Sequence, residues 1–219
     1  MNPDAYYGRP EVSNSDLTKL KELLHPGLVF PGREAAFRFG TLVDAIITEP
    51  ERVNFYRNTV DGEQYDVQEF QHALDMRKSL LAAARKDEFL FRVLGMASNQ
   101  HVSIRHGQPF EYCGLPFTLD TRCKWDWWLE NFKFGGDLKT VSARTQKEFD
   151  EAVDTFDWDR SRAWYMDIVG SDRDFIYAIS KQTGEVFKKF IDRGDAIYKR
   201  GREKYEELAF WWWCLNLNA

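Results

Sequence analysis

The segment from Cys123 to Thr140, CKWDWWLENFKFGGDLKT, constrains the fold more than any other stretch of the chain. Two aromatic-rich runs flank Glu130-Asn131-Phe132-Lys133, so the spacing predicts a β-hairpin that turns there. In such a hairpin Asp126 lies opposite Asp137, on one face of the sheet, with Cβ atoms roughly 5 Å apart. Like charges so placed repel, and the arrangement is costly unless a cation sits between them. Lys139, two residues beyond Asp137, points to the same face, while Trp125 and Trp127 are expected to point together the other way into the core. Two alternatives stand beside this reading: a surface hairpin in which Lys139 simply pairs with Asp137, or a bulge at Gly135-Gly136 that shifts the register.

The pattern before this segment is helical. Ser13-Asn14-Ser15-Asp16 offers N-caps for a helix carrying Leu17, Leu20, Leu23 and Leu24, which His25-Pro26-Gly27 stops. A loop with Pro31 and Gly32 leads to a helix over 34–48, ended by Pro50, and further helices are predicted over 67–84 and 88–95. From His101 onward the texture predicts strands over 101–105, 108–113, 117–128 and 133–140, helices over 145–155 and 158–168, strands over 175–180 and 186–191, and a closing helix over 195–215. This order implies an α+β or mixed α/β fold in which a central, mostly antiparallel or mixed sheet is flanked by helices. Residues 1–219 read as a single domain, with a helical part over 1–97 and a sheet core over 98–219.

Composition narrows the function. A net charge of -5 argues against a protein that simply coats nucleic acid, although a local basic groove stays compatible with it. No run of about eighteen uncharged apolar residues is present to span a membrane, and the N-terminus lacks the basic and apolar regions of a signal peptide. Cys113, Cys123 and Cys214 form no C-x-x-C pair and read as buried thiols of a cytoplasmic protein. His101 and His106, expected on opposite faces of a strand, make no zinc pattern.

Two carboxylates and an ammonium on one sheet face suit phosphodiester hydrolysis. Hard oxygen ligands hold magnesium or manganese, which neutralises a phosphate and acidifies a bound water, and a lysine beside that water orients or deprotonates it. Asp126, followed eleven residues later by Asp137-Leu138-Lys139-Thr140, resembles the core motif of the PD-(D/E)xK nuclease superfamily, whose fold is the restriction-endonuclease-like core. More narrowly, the chain is similar to the nuclease domain of RecE-like exodeoxyribonuclease VIII and its phage relatives. Three stretches carry that similarity: Tyr6-Tyr7 through Glu11-Val12-Ser13-Asn14-Ser15-Asp16-Leu17, Phe39-Gly40-Thr41-Leu42-Val43-Asp44 through Glu49-Pro50-Glu51, and Trp158 through Asp167. Asp44 stands where the family has a histidine, and Ser161 stands where it has the glutamine of a Q-x-x-x-Y helix that ends here in Tyr165.

The resemblance implies a magnesium-dependent deoxyribonuclease, with manganese as the other candidate ion, that degrades double-stranded DNA from an end in the 5′ to 3′ direction in recombination or phage DNA processing. It implies metal ligands at Asp126, Asp137, the Leu138 carbonyl and Asp44, and a catalytic Lys139. Thr140, Ser161, Tyr165, Arg160 and Arg162 are then the substrate-binding candidates, although Arg160 and Arg162 equally suit helix-surface pairs with Asp157 or Asp159. A homo-oligomeric ring around DNA and a single-strand annealing recombinase are the partners the family suggests. The substitutions at Asp44 and Ser161 motivate a second hypothesis, a catalytically weak DNA-binding or assembly module. An endonuclease is a third, because restriction enzymes share the core motif.

Other features divide between surface and function. Lys181, Lys188, Lys189, Arg193, Lys199, Arg200, Arg202 and Lys204 form either a phosphate-contacting surface or an ordinary solvated face. Among Trp211-Trp212-Trp213, Trp212 is expected in the core with a neighbour partly exposed. Glu111 reads as a water-facing edge residue, and Asp120 as too far along its strand to share a metal with Asp126.

Overall fold

The computed structural model describes residues 6–26 and 32–216, with only the backbone described at Asn216. Helix α1 (Asn14–Leu24) begins in a capping box: the Ser13 side chain accepts from the Asp16 amide, and the Asp16 carboxylate accepts from the Ser13 amide. Pro26 follows its end, whereas Gly27 and Pro31 of the expected stop and loop lie outside the described residues. Helix α2 (Arg33–Thr48) runs into a single turn at Pro50–Arg52. Helices α3 (Val67–Ala84) and α4 (Glu88–Met96) start at Asp66 and Asp87, whose carboxylates accept from amides of the first turn. Between α2 and α3 lie three two-residue strands, β1 (Val53–Asn54), β2 (Thr59–Val60) and β3 (Glu63–Gln64), which are too short to leave a periodic signal.

The main sheet has the order β4 (Ser98–Tyr112), β5 (Leu115–Leu129), β6 (Phe134–Val141), β7 (Arg173–Ser180), β8 (Val186–Asp192). Every neighbouring pair is antiparallel except β6 and β7. Those two are parallel because helices α5 (Gln146–Thr155) and α6 (Trp158–Val169) carry the chain back between them. The predicted strands over 101–105 and 108–113 are one strand, interrupted by an irregularity between Arg105 and Gln108. Helix α7 (Ala196–Asn216) closes the chain.

Each sheet face carries a core. On one face, Trp125, Ile176 and Ala178 pack with Phe149 of α5, Trp164 of α6 and Tyr205 of α7. On the other, Trp127, Leu138, Phe175 and Tyr177 pack with Leu42 and Ile46 of α2, Leu80 of α3 and Leu90 of α4. The fold is therefore the mixed α/β arrangement expected, a five-stranded sheet flanked by helices, and the β5–β6 hairpin lies inside the sheet rather than on the surface. Its register is also as expected, with Trp127 opposite Gly136, Trp128 opposite Gly135 and Leu129 opposite Phe134.

Aromatic packing explains why the two glycines hold this register instead of bulging. A Cβ at Gly136 would stand 2.1 Å from the Phe175 ring, and one at Gly135 would stand 2.4 Å from the Trp125 ring. Substitution of Gly136 by alanine is expected to cost about 1–3 kcal/mol, read as a lower urea midpoint at unchanged slope, because a buried ring flanked by other rings cannot withdraw cheaply.

Three expectations need correction. Trp125 and Trp127 enter opposite cores, and beside them Gln100 of β4 adopts a left-handed φ of 53° between the pairs Asn99–Trp127 and His101–Trp125. Cys113 is exposed, having fallen in the β4–β5 turn, while Cys123 is buried and Cys214 half-buried. Trp212 is only partly buried, with Trp213 stacked on Phe117 and Trp211 facing out. Among the described residues no helix is long and apolar enough to cross a membrane.

Candidate active site

Backbone pairing between β5 and β6 ends at Trp127 and Gly136, and the first residue past that point on β5 is Asp126. Its carboxylate replaces the missing strand partner, with Oδ2 accepting from the Leu138 amide at 2.8 Å. The Asp126 and Asp137 carboxyls stand close enough for each to shift the other's proton affinity. The two carboxylates that sequence spacing places opposite each other therefore do meet, at the place where the strands part.

Asp137 is 4% exposed and held by two cations. Lys139 pairs with its Oδ2, and Arg162 Nη2 lies 3.4 Å from its Oδ1. Lys139 and Asp137 share one face of β6, the face of Ile176 and Ala178 on β7. Arg162 comes from α6, stacks over the Tyr165 ring at 4.0 Å, and turns Nη1 toward Asp174 Oδ2 at 3.7 Å. Tyr165 in turn meets the Trp125 ring edge to face.

Asp44 arrives from the other side on α2. Thr48 Oγ1 donates to its Oδ1 at 2.9 Å, and Gln100 Nε2 donates to its Oδ2 at 3.1 Å. The same Gln100 nitrogen lies 2.9 Å from Thr48 Oγ1 and 3.4 Å from Asp126 Oδ1. Asp126 thus stands between Asp137 on one side and the Asp44–Gln100 pair on the other.

Proton affinities follow from this crowding. Burial pushes the Asp44 carboxyl up to about 6, against the pull of Thr48 and Lys139. Burial raises Asp126 well above the usual carboxylate range, and the charges of Asp44 and Asp137 raise it further. Burial acts on Asp137 in the same direction, yet Arg162 and Lys139 outweigh it and hold Asp137 below its ordinary value. Asp174 is fully buried and rises well above the ordinary value, because Arg162 only partly offsets the loss of water.

Three carboxylates of hard oxygen donors in electrostatic contact, two of them raised by burial, form a donor set that suits a divalent cation. As they stand, among the described residues no three Asp, Glu, His or Cys side chains surround a common point. The Gln100 amide fills the space between Asp44 and Asp126.

The substrate-binding candidates fall outside this centre or serve it indirectly. Arg160 is buried, its guanidinium committed to Asn14 Oδ1 at 3.0 Å, Thr18 Oγ1 at 2.5 Å and Asp157 Oδ2 at 3.4 Å. It ties α6 to α1, and the expected pair with Asp157 does form, buried rather than on the helix surface. Arg162 is equally buried and serves Asp137 and Asp174, so it acts as an internal counter-charge. The Ser161 hydroxyl donates to the Trp158 carbonyl at 2.9 Å, tied to its own helix as short hydroxyl side chains often are. Thr140 is half-buried on β6, and a Cβ on Gly40 of α2 would reach its Oγ1 at 3.9 Å.

The basic stretch near the C-terminus is largely neutralised. Lys188 pairs with Asp87, Lys189 with Asp150, Arg193 with Asp167, Arg200 with Asp159, Arg202 with Glu206 and Lys204 with Asp154. Asp120 is occupied by His106 and the Gly107 amide, and Glu111 faces water on the edge strand β4. Sequence reasoning missed Gln100, Thr48 and Asp174. Asp174 had one legible signal, a carboxylate near the start of a strand that is otherwise almost wholly apolar. Gln100 and Thr48 had none, since their place depends on how β4 and α2 meet.

No protein-family model matches the chain, and no curated protein is similar to it in sequence. Among solved structures, the chain is similar to a phage-related exonuclease from Haemophilus somnus 129PT, at 12% identity and a TM-score of 0.39 over 91% of each chain. It is also similar to the protein SSO0001, at 10% identity and a TM-score of 0.38 over 77% of this chain and 74% of that one. At such values the function has to be read from this chain's own residues.

Proposed function

We propose that this chain is a metal-dependent deoxyribonuclease of the PD-(D/E)xK type that degrades duplex DNA from an end in the 5′ to 3′ direction. The observation that carries the hydrolytic reading is the meeting of Asp126 and Asp137 where β5 and β6 part, with Lys139 ion-paired at the same point. Asp126, Asp137, Asp44 and the Leu138 carbonyl are the residues that would hold magnesium. Bound there, the ion would neutralise phosphate charge and lower the pKa of a water ligand. Lys139 pairs with Asp137; in the reaction its ammonium positions the attacking water and offsets charge on the phosphoryl oxygens. Arg162 keeps Asp137 ionised and in place from behind.

End preference and polarity rest on the motif resemblance, as do a ring-shaped homo-oligomer and a recombinase partner. Linear and covalently closed duplexes, incubated with the full chain and magnesium, separate the readings. Release of nucleotides from linear DNA, first from 5′-labelled ends, with circles untouched, is the expected result. Equal cleavage of circles would make the protein an endonuclease. No magnesium- or manganese-dependent release from either would leave a DNA-binding or assembly module.

A further inference from the structure

The position of Gln100 carries an inference beyond the motif residues, and it rests on reading the site as a metal-dependent nuclease. Its Nε2 stands among three oxygens, Thr48 Oγ1 at 2.9 Å, Asp44 Oδ2 at 3.1 Å and Asp126 Oδ1 at 3.4 Å. Two of these belong to carboxylates from different layers of the fold, one on α2 and one on β5. An amide nitrogen enclosed by carboxylate oxygens occupies the kind of position a cation takes, as a neutral donor of much weaker charge.

The backbone keeps Gln100 there. Asn99 and His101 on either side of it pair with Trp127 and Trp125, so its Cα faces Asp126 across the ladder, in a left-handed conformation that few glutamines adopt. The chain cannot easily carry the side chain away, but its last torsion is soft and roughly two-fold. Half a turn about that bond exchanges Nε2 for Oε1 without moving the backbone. Turned in this way with no ion present, Oε1 would face carboxylate oxygens, acceptor against acceptor. With a divalent cation between the carboxylates, the same turn presents a carbonyl-type oxygen, a normal ligand for a hard ion.

We propose that Gln100 is a further metal ligand of this site, closing it as a donor when the ion is absent and coordinating through Oε1 when the ion is bound. Asp44, Asp126 and Gln100 then bind the ion as one unit, across the gap between α2 and the sheet.

Manganese titration of the full chain, followed by electron paramagnetic resonance, tests this without reference to turnover. Gln100→Met keeps the length and removes both the donor and the acceptor. Gln100→Asn tolerates the left-handed backbone but falls a methylene short, and it decides the matter if the methionine variant does not fold. Both are expected to bind manganese about tenfold more weakly than wild type, with one more water on the ion, while Gln100→Glu binds at least as tightly. Unchanged or tighter binding by Gln100→Met or Gln100→Asn would overturn the proposal, since the amide would then only compete with the ion. Loss of manganese binding by wild type itself, or equal binding by Asp137→Asn, would overturn the metal-site reading beneath it.

Discussion

Replacing Lys139 by alanine is expected to lower nucleotide release from linear duplex roughly 100- to 10,000-fold while leaving the protein folded and able to bind manganese. The separation follows from the two counter-charges on Asp137. Arg162, 1% exposed, remains against Asp137 Oδ1 when the lysine is gone, so no buried charge is orphaned. Lys139 itself is 28% exposed at its side chain and reaches the site from the solvent side. Circular dichroism and manganese titration of Lys139→Ala should match wild type, with the loss confined to the chemical step. Asp137→Asn should instead lose both turnover and ion binding. Nucleotide release from Lys139→Ala at the wild-type rate would remove the lysine from the mechanism.

Replacing Arg162 by methionine is expected to cost about 3–5 kcal/mol of stability at pH 8, a large share of the roughly 5–15 kcal/mol available to a domain. Asp137, Arg162 and Asp174 are all nearly or fully buried, so the variant leaves Asp137 with Lys139 alone and Asp174 with no cation. The sign of the pH dependence follows from the shifts. In wild type the Asp137 carboxyl, held low mainly by Arg162 against the effect of burial, contributes stability above the ordinary carboxylate range and loses it only in strong acid. In the variant burial dominates, so Asp137 and Asp174 both favour their protonated forms and stability falls as pH rises through their raised values. The deficit against wild type should therefore be smaller at pH 5 than at pH 8, as guanidinium unfolding at the two values would measure. The double variant Arg162→Met with Asp137→Asn should recover part of the loss, because it removes the charge the arginine compensates. A deficit independent of pH would assign the arginine's role to packing against Tyr165 and Trp125 instead.

Much of the architecture was legible from local rules. The helix over 67–84 emerges with the bounds its apolar spacing predicts, and the β5–β6 hairpin emerges in the register its turn dictates. The pairing of Asp126 with Asp137 and Lys139 follows from that register, so the centre of the candidate site was readable from eighteen residues. What failed did so where one element's side chains meet another's. Arg160 and Arg162 lie two apart on one helix, yet one ties down α1 and the other compensates Asp137. Nothing in their helical spacing distinguishes those roles or shows that both are buried.

Short-range backbone periodicity and turn chemistry specify the main helices, the β5–β6 hairpin and the placing of two carboxylates and a lysine on it, whereas the three two-residue strands leave no such signal. The approach of Asp44 from α2, the bridge from it through Gln100 to Asp126, and the buried pair of Arg162 with Asp174 behind Asp137 arise from how the elements pack on one another. Gln100 lies 26 positions from Asp126 and 56 from Asp44, beyond the reach of any local pattern. The physical basis of these contacts is long-range packing: the two apolar cores press α2 and α6 onto opposite faces of one sheet, and the polar groups between them have to satisfy one another there.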